Sequence, residues 1–496
     1  MNLTKKLFSY IVAIAMIFTL TAFAGGAVNA ANAKTYQLSL QNNGKTAHTF
    51  EVYQIFTGDL SEGILSNVQW GNGVSEEGKT ALGDAAKKAE DLAKSTDSLA
   101  AKTFAEDLQK YLQNGTDKEV AANQTASIEG LAAGYYLVKD KASSQNQTNG
   151  AYTSYILKVV KDTTAATKLD VPTVEKKVQD KNDSTGETSG WQDSADYDIG
   201  DEIPYQITGS MPANIGDYKS YKYVFTDTMS KGLTFKTGSA KIMIGTTEVT
   251  GKFTENVTTN DDGSTVTWTC DDLKTAGVEL TSTTKVVVTY KATLNEKAVI
   301  GSEGNPNTVN LTYSNNPNKG GEGETGKTPD DKNIVFTYKA VVNKVDQDKK
   351  SLAGAGFTLQ KKVNGAYTDV KSFTAGEATT FTFTGLDDGE YKLIESTTPA
   401  GYNTITPIEF TISATHDETA DEPKLTELTV SKVSGEAKFT ADKDAGSLTT
   451  DVVNKKGSTL PETGGMGTTL LYAVGGVLVA LAAAYIIISK KHEKAE

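Results

Sequence analysis

Gly389-Glu390-Tyr391-Lys392-Leu393-Ile394-Glu395 puts an acid where an apolar residue is due. Successive side chains of a strand point to opposite faces, so Tyr391, Leu393 and Glu395 share one face. The tyrosine and leucine mark that face as the one turned toward a core, and Glu395 stands in register with them. Gly134-Tyr135-Tyr136-Leu137-Val138-Lys139-Asp140 has the same spacing and brings Asp140 to the acid position. Outward from these stretches, short alternating segments rich in Val, Ile, Thr, Tyr and Phe at 53–56, 152–160, 221–226 and 285–292 are separated by Gly, Asn and Asp clusters. That is the pattern of β-sandwiches. Residues 76–113 alone read as helical, with Ala, Leu, Lys and Glu recurring near the helical period. The expected class is mainly β, a tandem of Ig-like β-sandwich domains with a helical insertion in the first.

The two ends carry addresses. Residues 1–30 combine two early lysines, an apolar run from Leu7 to Ala24 and the small-residue site Val28-Asn29-Ala30, the layout of a secretory signal peptide. At the other end, Leu460-Pro461-Glu462-Thr463-Gly464 precedes an uncharged apolar stretch over 468–488 and then Lys490-Lys491-His492-Glu493-Lys494. About 20 apolar residues span a bilayer, and lysines beyond them favour a cytoplasmic end, so a C-terminal transmembrane helix is expected. Between the ends, a polar stretch at 162–170 and a boundary near Tyr338–Lys339, after the Gly-rich loop 319–333, divide the chain into modules of 31–167, 168–338 and 339–459.

Composition narrows the function. The 496 residues carry a net charge of −13, and every basic residue is a lysine, so no guanidinium fork is present to grip phosphate or nucleic acid. One cysteine, Cys270, and three histidines far apart in sequence leave no disulfide framework and no cysteine-rich metal site. Cys270 alternates with Trp268 and Val266 and reads as a buried small apolar residue. His48 and His416 fall where polar turns or edges are expected, no Gly-x-Ser-x-Gly occurs, and a hydrolase has no constellation to work with. The Asn260-Asp261-Asp262-Gly263 cluster reads as a turn. Neither cofactor nor metal is expected, and the chain is not expected to be an enzyme with turnover.

Two modules repeat one anomaly. In the middle module Lys176 shares a face with Val174 and Val178, Asp227 with Tyr221, Tyr223 and Phe225, and Asn307 with Val309, Leu311 and Tyr313. In the last module Lys344 shares a face with Tyr338, Ala340 and Val342, Glu395 with Tyr391 and Leu393, and Asn454 with Leu448, Thr450 and Val452. Burial favours a neutral amine and a protonated carboxyl. A neutral amine can attack an asparagine carbonyl polarised by such a carboxyl, expelling ammonia and leaving an uncharged amide. In the first module, residues 35–40 bring no inward lysine and 151–160 no asparagine, so no bond is expected there.

These trios resemble the self-forming isopeptide sites of Gram-positive pilin and collagen-adhesin-type (Cna-B-like) domains, and the LPETG, apolar span and basic tail resemble a cell-wall sorting signal. Taken over nearly the whole chain, the resemblance is to an LPXTG-anchored major backbone pilin. It implies bonds Lys176–Asn307 and Lys344–Asn454, assisted by Asp227 and Glu395. It implies cleavage by a sortase between Thr463 and Gly464, within Leu460, Pro461, Glu462, Thr463 and Gly464. It implies that the threonine acyl group passes to a lysine of the next copy. Thr167-Lys168-Leu169-Asp170-Val171-Pro172-Thr173-Val174-Glu175-Lys176 resembles the junction where such a lysine stands, which selects Lys168. The usual Tyr-Pro-Lys triplet is missing, and Lys161 is a rival. The partners implied are a pilus-type sortase, a housekeeping sortase, copies of the chain itself in a head-to-tail polymer, ancillary pilins, peptidoglycan and a host surface ligand. The place implied is the extracellular pilus, wall-anchored after transient membrane retention. The alternative is a monomeric or ancillary wall-anchored adhesin for a host matrix protein or glycan. Strand 334–345, closing the middle module and opening the last, is expected to run unbroken and carry load between them.

Overall fold

The computed structural model describes residues 34–94, 98–167, 171–319, 323–457 and 474–484. The signal-peptide stretch, Lys168 and the Leu460–Gly464 motif lie outside the described residues. The described strands fall into three successive sandwiches, each of two sheets closing on a core.

In the first, the order Thr125–Leu131, Tyr36–Gln41, Thr163–Ala166 faces a sheet ordered Ile64–Trp70, His48–Ser61, Gly134–Asp140, Ser154–Val159, with Thr116–Val120 added to His48–Ser61. Leu38, Leu40, Phe50, Val52, Val138 and Val159 fill the space between them. The helical passage is three helices rather than one, Glu76–Leu82, Ala85–Lys94 and Ser98–Leu108, followed by a 3-10 turn Gln109–Tyr111. Ser75 caps the first by accepting from Gly78 N. Gly83, at φ 83°, ends it in a backbone conformation that side chains with a Cβ rarely adopt. Ala89, Phe104 and Leu108 pack on Phe56 and Tyr135, so the passage covers the outer face of the second sheet.

The middle sandwich sets a sheet ordered Thr247–Glu248, Lys241–Ile244, Lys285–Leu294, Glu202–Ser210, Val174–Val178 against one ordered Ser194–Asp196, Asp331–Phe336, Asn305–Ser314, Tyr223–Ser230, Gly263–Cys270, Thr254–Asn260. Strict alternation is visible in the burial: every second residue of Asn305–Ser314 and of Gly263–Cys270 is buried. The last sandwich pairs Thr380–Leu386, Tyr338–Asp346, Ser447–Asn454, Phe439–Asp442 with a five-stranded sheet centred on Gly389–Thr397. Residues 260–263 form a hairpin turn in which Asn260 Oδ1 accepts from the N–H groups of Asp262 and Gly263.

The expected unbroken strand 334–345 is two strands, Asp331–Phe336 and Tyr338–Asp346. The first is hydrogen-bonded into the middle sandwich and the second into the last, so the chain must change partners between them. Thr337 makes the change: it is buried, its hydroxyl donates to Leu386 O at 3.2 Å, and its carbonyl accepts from Gly301 N at 3.0 Å. Beside this crossing, Lys361 is nearly enclosed and pairs with Asp387 of its own sandwich and with Asp198 (2.6 Å) and Asp183 (3.5 Å) of the middle one. Among the described residues no helix is long and apolar enough to cross a membrane; of the expected span only 474–484, helical, is described.

Candidate functional site

The middle cluster is assembled from three strands and both sheets. Lys176 projects from Val174–Val178, opposite Ile207 on Glu202–Ser210. On the facing sheet, Tyr223–Ser230 pairs with Asn305–Ser314 so that Met229 stands opposite Asn307 and Asp227 opposite Val309. Asp227 and Asn307 are therefore diagonal neighbours on one face, and the lysine reaches them across the core. All three are fully buried. Lys176 Nζ donates to Asp227 Oδ1 at 2.5 Å. Burial pulls the lysine pKa below its ordinary value, against the opposing charge of Asp227.

A fourth residue joins the trio that the sequence did not mark. The Tyr290 hydroxyl accepts from Lys176 Nζ at 2.5 Å and from Asn307 Nδ2 at 2.9 Å, and donates to Asp227 Oδ2 at 2.6 Å. Tyr290 comes from Lys285–Leu294, where it alternates with Val286, Val288, Ala292 and Leu294, all buried. Its periodicity says core; only the tertiary contacts give its hydroxyl a task. Tyr205 stacks on it at 5.2 Å, and Lys176 Nζ lies 5.0 Å from each of the two ring centroids. Asn333, opposite Asn307 on Asp331–Phe336, is buried with neither amide atom partnered, and Asn307 Oδ1 also lacks a partner.

The last cluster is built differently. Tyr338–Asp346 and Ser447–Asn454 run parallel, with Lys344 opposite Val452 and Asp346 opposite Asn454, so the lysine and amide sit on adjacent strands of one sheet. Lys344 Nζ, fully buried, donates to the carbonyls of Val345 and Val452, both at 3.0 Å. Burial lowers its pKa to about 8, although Glu395 pulls the other way. Asn454 Nδ2 donates directly to Glu395 Oε2 at 3.0 Å and to Asn403 O at 2.5 Å. Glu395 arrives from the facing sheet and is held through Oε2 by Ile405 N (3.1 Å) and Thr398 Oγ1 (3.2 Å). Glu395 Oε1 and Asn454 Oδ1 are buried without partners.

In the first sandwich the position of the acid is kept, and its partner is a histidine. Asp140 Oδ1 lies 2.7 Å from His48 Nδ1, and Asp140 Oδ2 accepts from Thr153 N at 2.7 Å. Burial raises the pKa of Asp140 against the influence of His48. His48 is thus not at a polar turn or edge: it is fully buried at the start of His48–Ser61, stacked on Phe50, because Asp140 satisfies one ring nitrogen. His416 is likewise largely enclosed, with Nδ1 2.7 Å from Ser194 Oγ across the middle-to-last junction.

Of the two candidate polymerising lysines, Lys161 is exposed, six residues before the buried Thr167, whose hydroxyl accepts from Asn43 N. Beyond Lys168, Thr173 N donates to Ser210 Oγ at 2.8 Å. Two groups among the described residues have the donor chemistry for a cation, Asp180 with Asp196 and His416, and Asp183 with Asp198, Asp201 and Asp387. The Lys361 ammonium already lies among the second group. Cys270 is buried and burial raises its thiol pKa, which makes it a poor nucleophile.

Comparison with known proteins adds the relationships. Residues 199–317 match the family model described as Gram-positive pilin backbone subunit 2, Cna-B-like domain; 339–424 match a prealbumin-like fold domain; and 452–495 match the LPXTG cell wall anchor motif. The chain is 28% identical over 263 residues to the trypsin-resistant surface T6 protein of Streptococcus pyogenes, covering 48% of this chain and 45% of that protein. The match thus spans less than half of that relative. Among solved structures it resembles the T6 backbone pilin of serotype M6 Streptococcus pyogenes, at 20% identity and a TM-score of 0.56 over 86% of this chain and 100% of that one. It also resembles the full-length major pilin SpaD of Corynebacterium diphtheriae, at 19% identity and a TM-score of 0.50 over 86% and 99%. At these identities the two structures speak for the fold, a succession of mainly β domains.

Proposed function

We propose, from its membership of the LPXTG-anchored backbone pilins of Gram-positive bacteria, that the chain is the repeating structural subunit of a sortase-assembled covalent pilus. The observation that carries this reading is the joint presence of a backbone-pilin domain and an LPXTG anchor motif on one chain. A sortase takes the chain at Thr463–Gly464 and transfers the threonine acyl group to Lys168 of the neighbouring copy, with Lys161 the rival nucleophile. Each contact uses a different surface on the two copies, so the assembly does not close and grows as a fibre. The terminal copy is passed to peptidoglycan. The protein is a substrate with no turnover of its own.

Within each copy, the two buried clusters support spontaneous cross-links Lys176–Asn307 and Lys344–Asn454. In each, a bond forms between lysine Nζ and asparagine Cγ, the Cγ–Nδ2 bond breaks, and ammonia leaves. Two buried charges and a buried primary amide are replaced by one neutral secondary amide and one neutral carboxylic acid, which removes the desolvation cost of the charged pair. With no disulfide available to a chain of one cysteine, these bonds resist proteolysis and tension.

The test is an immunoblot after boiling in detergent, with the protein co-expressed with a pilus-type sortase in a Gram-positive host, wild type beside Lys168→Ala. A high-mass ladder lost in the variant supports the shaft subunit and its nucleophile. A ladder in both moves the nucleophile to Lys161 or another lysine, and a single anchored band in both returns the monomeric adhesin.

A further inference from the structure

The geometry points to Tyr290 as a catalytic residue of bond formation in the middle sandwich, its hydroxyl passing a proton from Lys176 Nζ to the departing Asn307 Nδ2. This rests on the cross-linking reading above and adds to it a residue and a proton route. The hydroxyl contacts all three members of the trio, at 2.5 Å from Nζ, 2.6 Å from Asp227 Oδ2 and 2.9 Å from Nδ2. Asp227 is hydrogen-bonded to the lysine, and Tyr290 stands between its second oxygen and the amide nitrogen. In the last sandwich no such bridge is needed, because Glu395 Oε2 meets Asn454 Nδ2 directly at 3.0 Å.

The Lys176 ammonium first gives one proton to Asp227 Oδ1, along the 2.5 Å contact, leaving a neutral amine and a neutral acid. Nζ then attacks Asn307 Cγ, placing negative charge on Oδ1 and positive charge on Nζ. With Asp227 neutralised, the phenolic hydrogen turns from Oδ2 toward Nδ2. As Cγ–Nδ2 breaks, Nδ2 takes the tyrosine hydrogen and Tyr290 takes a second proton from Nζ. Ammonia leaves, Asp227 keeps one proton and Tyr290 ends unchanged. Burial holds the Tyr290 hydroxyl protonated, so its hydrogen is present when the leaving group needs it.

Tyr290→Phe keeps the ring that packs on Tyr205, Phe235 and Trp268 and removes the hydroxyl alone. Cell-free synthesis of the full chain, sampled over time for intact mass and mapped by peptide, reads each bond as a loss of about 17 Da, the mass of the ammonia expelled. Expected is a slowing on the order of 10²-fold or more at Lys176–Asn307, the scale of general acid–base help, with Lys344–Asn454 closing at the wild-type rate. A wild-type rate at both sites overturns the relay. Failure of the wild type to lose ammonia at Lys176 would instead overturn the cross-linking reading, so the two failures are distinct. If near-UV circular dichroism shows Tyr290→Phe unfolded, synthesis with 3-fluorotyrosine decides: the more acidic hydroxyl should shift the pH dependence at Lys176–Asn307 and not at Lys344–Asn454. An unshifted profile overturns the relay.

Discussion

The middle and last sandwiches bury the same three side-chain types and arrange them in two ways. In the middle one, lysine and amide come from opposite sheets and the acid is an aspartate that meets the amide through Tyr290. In the last one, lysine and amide come from adjacent parallel strands and a glutamate reaches the amide by itself. On the proposed cross-linking, the longer acid and the tyrosine are two solutions to one problem, which is to bring a proton to the leaving nitrogen. The first sandwich, holding Asp140 against His48, shows the site with the acid retained and without lysine or asparagine. In all three sandwiches the buried carboxyl has a polar partner, and the proposed chemistry requires that lysine and amide accompany it.

The largest effect that tests this contrast is loss of the acid. Asp227→Ala should retain the ammonia in the middle sandwich only, and Glu395→Ala in the last only. Each proposed cross-link would close a loop on the order of a hundred residues, for which chain entropy gives about 4–5 kcal/mol, so the unfolding free energy of that sandwich should fall by roughly this amount. Intact mass and calorimetry check it, and loss of both bonds from either single substitution would show that the two sites are not independent.

The pH response of an unbonded last sandwich comes next. In Asn454→Ala the Lys344 amine stays free, and its folded pKa of about 8 lies below its ordinary 10.5. The unfolded chain therefore binds a proton that the folded one lacks between those values, and stability must rise as pH climbs from about 8 to 10.5. Denaturant titrations across that window check the sign, and a falling midpoint would contradict the buried geometry. In the wild type the same shift predicts bond formation that accelerates with pH up to about 8 and then levels.

Smaller effects separate the first sandwich from the others. Asp140→Asn removes the charge-assisted bond to His48 and should cost about 1–3 kcal/mol in hydrogen exchange of the first sandwich, with both cross-links forming normally. Thr398→Val takes away one of the hydrogen bonds that hold Glu395. It should slow the last bond less than tenfold, in line with about 0.5–1.5 kcal/mol for one such contact. A collapse of bonding there would mean that orientation of the acid, rather than its reach, limits the reaction.

The period of two in strands such as Tyr223–Ser230 and Gly389–Thr397 was enough to put Asp227 and Glu395 on core faces, because alternation is a local property of an extended backbone. The same reasoning placed Lys176, Asn307, Lys344 and Asn454 inside, and all are buried. Composition and the terminal motifs pointed to export and anchoring from residue type alone. What alternation cannot carry is which buried residues meet. His48 read as polar because its partner, Asp140, lies 92 positions away. Tyr290 lay unmarked within the alternating segment 285–292, since nothing in the side-chain period shows that a lysine, an acid and an amide converge on its hydroxyl from other strands. Thr337 read as mid-strand because a change of hydrogen-bonding partners leaves no mark on the side-chain period. Face and burial were determined along the chain; pairing across the core, the hydrogen bonds that converge on Tyr290 and the crossing between sandwiches were decided by the packing of distant strands.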